Sequence, residues 1–298
     1  MEPAASNDAL RSRHSAIKHI LVCVDGTDRD RSVLDQALQI ALRFDSHIDV
    51  LHVRFDVHGT TSDRHERQID RLLDKPVEHI VAETAARARR HFEEWHAQCK
   101  LPLRDRGTAV QGPSSLWREI TGYEDVVIAR LGRVSDLIVV ARKGAGSSAF
   151  SAMALETALF ETGRPVLMVP VGAPANLFHR ALIAWNGSRE AARAVGFALP
   201  FLTACEGGVE IFASPESKHP ADTEELLRYL SWHGIVGDRI APDDARATGT
   251  GLLAQASAHQ TGLIVMGAYT HGHYRQFLFG GMTRHVMEHA AIPVLFAH

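Results

Sequence analysis

The chain has 298 residues, of which 45% are hydrophobic and 22% are charged, a composition typical of folded globular proteins. Its length is about twice the commonest domain size and predicts two domains. A net charge of −3 leaves no basic excess for a nucleic-acid backbone, and three widely spaced cysteines predict reduced thiols. Because no apolar run approaches about 18 residues, we expect no membrane segment and a cytoplasmic protein.

The first half of the sequence alternates apolar strands with amphipathic helices. A buried-strand pattern over 19–25 ends in the polar turn Asp25, Gly26 and Thr27 and leads into a predicted helix over 32–43. Further strands are predicted at 48–54, 104–110, 137–142 and 166–170. The charged, periodic insertion at about 62–100 predicts one or two surface helices.

The second half repeats this order. A strand over 181–186 ends in Asn186, Gly187 and Ser188 and runs into a predicted helix over 189–203. Strands are predicted at 208–213, 236–240, 263–267 and 293–297, and shorter helices at 223–233 and 282–289. Most of the insertion found in the first half is missing, so the second copy is shorter.

The two copies predict an α/β protein made of two tandem domains, 16–173 and 178–298. Short apolar strands that alternate with amphipathic helices favour, in each domain, an open, doubly wound, five-stranded parallel sheet with helices on both faces. Such sheets bind ligands beyond the carboxyl ends of their strands, where the strand order reverses. The segments after the first and fourth strands of each copy are therefore the places where we expect a binding site.

A glycine-rich segment precedes the last helix of the second copy. Gly280 and Gly281 allow backbone N–H groups to approach an anion, and the helix N-terminus adds its dipole, so a phosphate would fit there. The alternative is a simple turn in which Thr283 caps the helix. The local pattern leaves these two interpretations equally open.

The order of elements, the first strand ending in Asp-Gly-Thr or Asn-Gly-Ser, and the final Pro-Val-Leu strand resemble the universal stress protein family, seen here twice. The resemblance implies the adenine-nucleotide-hydrolase-like fold and covers 18–298. Nucleotide-binding members carry Gly, two residues, Gly, nine residues, and then Gly with Ser or Thr. In the second half these four positions are held by Gly267, Thr270, Gly280 and Gly281, so two glycines match and two positions depart.

The first half departs further from the family pattern. The four positions are held there by Ala141, Gly144, Ala154 and Leu155, so only one glycine remains. We therefore expect the first half to be a structural partner that has lost the nucleotide motif. It keeps Asp25, however, at a position that lies near adenine and ribose in nucleotide-binding members, where the second half has neutral Asn186.

The resemblance predicts a stress-response protein that binds an adenine nucleotide mainly in its second domain. The expected ligand is ATP or another adenine nucleotide, and Mg²⁺ is left open as an accompanying ion. The expected binding residues are Asn186, Gly187, Ser188, Gly267, Thr270, His271, Gly272, Gly280, Gly281, Met282 and Thr283.

Two other functions remain as alternatives, namely a scaffold that binds proteins but no nucleotide, and a slow nucleotide hydrolase. We assign no catalytic residue, because the sequence lacks a P-loop, a dinucleotide fingerprint and a nucleophile elbow. We also assign no metal site. His271, His273, His285 and His289 are a minor metal alternative.

The resemblance also suggests how the halves assemble. Single domains of this family commonly pair through their last strands, and a tandem chain can make that pairing internally, as an intramolecular pseudo-dimer. A further homodimer of chains is compatible with the sequence. We expect neither nucleic acid nor a membrane as a partner.

Overall fold

The computed structural model describes residues 17–57, 77–106, 112–144, 153–213, 221–240, 248–268 and 281–298. The first half contains β1 (His19–Cys23), α1 (Asp30–Phe44), β2 (His47–Phe55), α2 (Val77–Cys99), β3 (Ser114–Gly122), α3 (Glu124–Gly132), β4 (Leu137–Ala141), α4 (Ala154–Glu161) and β5 (Val166–Val169). The second half contains β6 (Ala181–Trp185), α5 (Arg189–Ala204), β7 (Val209–Ala213), α6 (Ala221–Trp232), β8 (Gly237–Ile240), α7 (Gly249–Ala258), β9 (Leu263–Gly267), α8 (Gly281–His289) and β10 (Val294–Ala297).

The ten strands form one sheet in the order β3-β2-β1-β4-β5-β10-β9-β6-β7-β8. Every strand pairing inside each half is parallel. The first strand of each half pairs with the second strand of that half on one side and with the fourth strand on the other. The predicted fold class, two tandem five-stranded doubly wound sheets, is confirmed.

An antiparallel pairing of β5 with β10 joins the two halves. Leu167 lies opposite Leu295, and Val166 lies opposite Phe296, and all four side chains are fully buried. The sheet therefore has no free edge at its centre. The limits 16–173 and 178–298 as separate domains stay a prediction.

The hydrophobic core continues across the two halves. One apolar cluster on each face of the sheet includes strand residues from both copies. Three phenylalanines add to this contact, because Phe178, in the connecting segment, lies 5.7 Å from Phe44 of α1 and 6.0 Å from Phe201 of α5 between ring centroids. Aromatic pairs at such distances contribute beyond simple burial.

The predicted strand at 104–110 is wrong. The structure instead places β3 at Ser114–Gly122, at the edge of the sheet and paired along its whole length with β2. This strand is mixed in polarity because only part of it is buried, so it lacks the apolar run expected of a central strand. Of the predicted segment, residues 107–110 lie outside the described ranges.

The sequence pattern predicted no boundaries for three short helices, α3, α4 and α7. The long insertion contains α2, and residues 62–76 of it lie outside the described ranges. None of the described helices is both long and apolar enough to cross a membrane.

Candidate functional site

The crevice of the second half lies at the carboxyl end of β6. This strand pairs with β7 on one side and β9 on the other, so the connections that leave β6 and β9 run to opposite sides of it. The ends of β6 and β9 are neighbours, with Ala184 opposite Met266. This is the topological switch point at which open α/β sheets bind ligands.

The turn after β6 carries three of the predicted site residues. Gly187 has a φ of 72°, a left-handed conformation that favours glycine. The Ser188 N–H donates to Asn186 Oδ1 at 3.1 Å, and Ser188 Oγ in turn accepts from the Ala191 N–H at 3.1 Å, which caps the N-terminus of α5. The turn thus places the half-buried Asn186 beside a capped helix N-terminus.

Gly267 ends β9 where the strand meets the first turn of α5. A Cβ atom at this position would lie 2.5 Å from the backbone nitrogen of Ala191 and 2.6 Å from the carbonyl carbon of Glu190. Any larger residue would push the helix away from the strand. The glycine therefore fixes the width of the crevice at its base.

The last of the predicted binding residues lie in the first turn of α8. Gly281 is exposed, and a Cβ atom there would meet no described atom within 4 Å, whereas Thr283 is buried. The helix packs against α7, because a Cβ atom at Gly249 would lie 2.8 Å from the Cβ of His285. The structure thus brings Asn186, Gly187, Ser188 and Gly267 to one crevice. The intervening predicted residues Thr270, His271, Gly272 and Gly280 lie outside the described ranges.

In the first half the equivalent aspartate is bonded by its own loop. Asp25 Oδ1 accepts from both the N–H and the hydroxyl of Thr27, at 3.2 Å and 2.5 Å. Asp25 Oδ2 accepts from Arg29 at 2.6 Å, and this ion pair is largely buried. The Asp25 carboxylate, which the resemblance implies near adenine, is therefore already hydrogen-bonded within its own loop.

Helix α2 covers the same turn. Gly26 is buried, and a Cβ atom there would lie 2.5 Å from the carbonyl oxygen of Thr84. Arg87 Nε donates to the Gly26 carbonyl at 3.0 Å, and His91 Nδ1 lies 2.9 Å from Asp30 Oδ2. Residues of α2 thus pack on the turn after β1, whereas the equivalent Gly187 in the second half is exposed.

The remaining walls of the first crevice also differ from a phosphate site. Ala154 and Leu155 line it at the positions where the family carries Gly and then Ser or Thr, together with Cys23 and Glu124. Burial raises the pKa of Glu124 to about 8, despite a backbone hydrogen bond at Met153 that lowers it. Burial likewise raises the pKa of the Cys23 thiol, so the thiol stays protonated. Glu124 lies about 100 residues from β1 along the chain, so no local sequence pattern indicates this contact.

The two histidines of α8, His285 and His289, contact neighbouring residues. His285 Nε2 lies 3.2 Å from Thr250 Oγ1, and His289 Nδ1 lies 2.9 Å from the His285 carbonyl. The two rings stack with centroids 4.3 Å apart. The other members of the minor metal alternative, His271 and His273, lie outside the described ranges.

The first half of the chain is similar in sequence to one known protein family. The sequence profile of the universal stress protein family matches residues 16–155. The first half is a universal stress protein domain. The resemblance drawn from the sequence is thereby confirmed, and the second half repeats the same strand order. No curated protein sequence matches the chain.

Solved universal stress proteins share the fold of the whole chain. One from Archaeoglobus fulgidus DSM 4304 covers 95% of this chain and 98% of its own, with a TM-score of 0.62 and 17% identity. One described as putative from Pseudomonas aeruginosa UCBPP-PA14 covers 95% and 94%, with a TM-score of 0.54 and 15% identity. A universal stress protein in complex with cAMP covers 52% of this chain and 98% of its own, at a TM-score of 0.29 and 19% identity, too distant to bear on the ligand here.

Proposed function

We propose that this universal-stress-type protein binds an adenine nucleotide in its second half, and that its first half is a structural partner. The observation that carries the proposal is the contrast between the two equivalent turns. In the first half, Gly26 is buried beneath α2 and Asp25 is bonded by Thr27 and Arg29. In the second half, Gly187 is exposed, and among the described residues the Asn186 amide contacts the adjacent turn, where its oxygen accepts from the Ser188 N–H.

Each end of the crevice suits one end of a nucleotide. The side-chain amide of Asn186 offers both a donor and an acceptor, which are the groups needed for adenine or ribose. The N-terminus of α8 offers backbone N–H groups and a favourable dipole for phosphate, and its first residue, Gly281, leaves room there. We expect Gly280 and Thr283 to assist, the first through its backbone and the second through its hydroxyl.

ATP is the nucleotide that we propose, and Mg²⁺ would accompany its phosphates. The Mg²⁺ ion would partly neutralise a triphosphate, while the protein would orient the chain of phosphates at the α8 terminus. No step of a reaction is proposed.

Calorimetric titration with ATP, ADP and AMP tests this function. We expect binding to at least one of them at nucleotide concentrations below about 1 mM, and we expect Asn186→Ala and Gly280→Val to weaken it. Absence of binding at that concentration would contradict the proposal and favour the scaffold alternative. Unchanged affinity in Asn186→Ala would show that the adenine end lies elsewhere.

A further inference from the structure

A second cluster of candidate ligand side chains lies in the first half, at the amino ends of β1 and β2. His19 begins β1, His47 begins β2, and the two residues are register partners on adjacent parallel strands. Asp49 is two residues beyond His47 and so points to the same face of the sheet. The cluster is therefore formed by strand register, at the amino ends of the strands.

The three side chains converge on one point. His19 Nε2 lies 3.1 Å from Asp49 Oδ2, and His47 Nε2 lies 3.1 Å from Asp49 Oδ1. The carboxylate is 6% exposed, whereas the two imidazoles remain about one-quarter to one-third exposed, at 23% and 32%. Within the described ranges, this is the only group of three His, Cys, Asp or Glu side chains whose ligand atoms all lie within 4.8 Å of one another.

The outer nitrogen of each ring is held by a serine. His19 Nδ1 lies 3.2 Å from Ser135 Oγ, and His47 Nδ1 lies 2.8 Å from Ser114 Oγ. Ser135 donates its hydroxyl proton to the Leu131 carbonyl at 3.0 Å, so the proton in the His19 contact belongs to Nδ1. Fixing one ring nitrogen in this way is how proteins orient histidine ligands of metals.

This tautomer has a consequence for the inner nitrogen. When the His19 ring is neutral, its Nε2 presents a lone pair to the Asp49 carboxylate, and two acceptors face each other at 3.1 Å. That contact is favourable only when a cation lies between the two atoms. A proton can fill this role, and so can a metal ion bound to both.

Arg118 supports the carboxylate from the other side. Its Nη1 donates to Asp49 Oδ2 at 2.8 Å, which leaves Oδ1 as the oxygen that faces His47. The carboxylate, 6% exposed, thus has one oxygen held by Arg118 and the other facing His47.

We propose that His19, His47 and Asp49 bind a divalent transition-metal ion of the Zn²⁺ class, with Ser135, Ser114 and Arg118 holding the ligands in place. Two imidazoles and one carboxylate suit Zn²⁺ rather than Mg²⁺ or Ca²⁺, which prefer oxygen ligands alone. Three protein ligands leave a fourth position for water or another ligand. The site is separate from the nucleotide crevice and does not depend on it.

Titration of the chelator-treated, tag-free full chain with Zn²⁺ and Co²⁺ tests the site. We expect one tight equivalent, with a Kd of about 1 μM or below, and a Co²⁺ visible spectrum of low coordination number. The His47→Gln change should weaken this binding at least about 100-fold, since it removes a ligand, whereas loss of a supporting group costs about 10- to 100-fold. The control is His285→Gln, which removes a histidine of the exposed α8 pair and should leave the tight equivalent unchanged.

Three outcomes would overturn the proposal. The first is no tight Zn²⁺ equivalent in the wild-type chain, which would mean that a proton alone fills the cluster. The second is equal affinity in His47→Gln and wild type, and the third is loss of the tight equivalent in His285→Gln. If His47→Gln does not fold, the isosteric Asp49→Asn protein replaces it, and wild-type affinity in that protein would equally overturn the proposal.

Discussion

Glu124 is a carboxylic acid that the fold of the first half keeps protonated. Burial raises its pKa from 4.5 to about 8, and its Oε2 is buried without a hydrogen-bond partner among the described residues. The folded protein therefore holds a proton that the unfolded chain releases above its ordinary pKa. The stability linked to this proton is fully present below about pH 4.5 and is lost as the pH rises through about 8.

We expect the Glu124→Gln protein to gain stability relative to wild type as the pH rises from 5 to 9. The gain should exceed about 1 kcal/mol, the equivalent of a single pKa unit, because glutamine has no proton to lose. Urea unfolding across this pH range measures it. Glu206→Gln, a change at an exposed glutamate, is the control and should follow the wild-type curve. A Glu124→Gln curve parallel to wild type would contradict the account.

At the same scale, the sequence could predict some site residues and not others. The position of Asn186, Gly187 and Ser188 was predictable because one short turn encodes their geometry, and the structure places them at the carboxyl end of β6. Their role in binding stays a prediction. The His19, His47 and Asp49 cluster was missed because it requires the register between two strands. The His-x-Asp spacing of β2 was the available signal, and it becomes informative only once His19 is known to lie opposite His47.

At the scale of elements, the second crevice depends on the close approach of β9 to α5. A Cβ atom at Gly267 would lie within 2.6 Å of two backbone atoms of that helix, and backbone cannot move aside as a side chain can. The Gly267 position is therefore under a packing constraint that does not depend on a ligand.

We expect Gly267→Ala to destabilise the protein by about 1–3 kcal/mol, the usual cost of overpacking. Thermal unfolding measures this cost, and calorimetry should also show weaker nucleotide binding because α5 is displaced. Gly144→Ala is the matched control in the first half, since a Cβ atom there meets no atom of the described residues within 4 Å. Equal melting temperatures for the two variants would refute the packing argument.

The secondary-structure elements differ in how well the sequence predicts them. Central strands such as β1, β4 and β9 are apolar on both faces, and their predicted positions agree with the structure within one or two residues. The edge strand β3 was misplaced because its polarity follows partial exposure and its position follows pairing with β2. Trp232, the last residue of α6, is 80% exposed although it is a large apolar residue.

At the scale of the whole molecule, the two halves share one sheet and continuous cores. Leu295 of β10 is fully buried and lies opposite Leu167 of β5. Two connecting-segment contacts reinforce this, since Gln36 donates to the Pro174 carbonyl at 2.9 Å and the Gly172 N–H donates to Ser32 Oγ at 3.1 Å. The halves should therefore unfold together.

We expect Leu295→Ala to cost about 2–5 kcal/mol and to lower the temperature of a single calorimetric transition. The exposed Leu42→Ala change is the control and should cost less than about 0.5 kcal/mol. Two transitions, of which only one moves in Leu295→Ala, would show instead that the halves unfold independently.

The central claim is that the two halves have divided their roles, with nucleotide bound in the second. Its most direct test compares ATP titrations of Gly281→Val in the second half and Gly144→Val in the first, because at both positions a Cβ atom meets no described atom within 4 Å. We predict that Gly281→Val weakens ATP binding by at least about tenfold, or about 1.4 kcal/mol, while Gly144→Val binds as wild type does. Loss of binding in Gly144→Val with wild-type affinity in Gly281→Val would contradict the account.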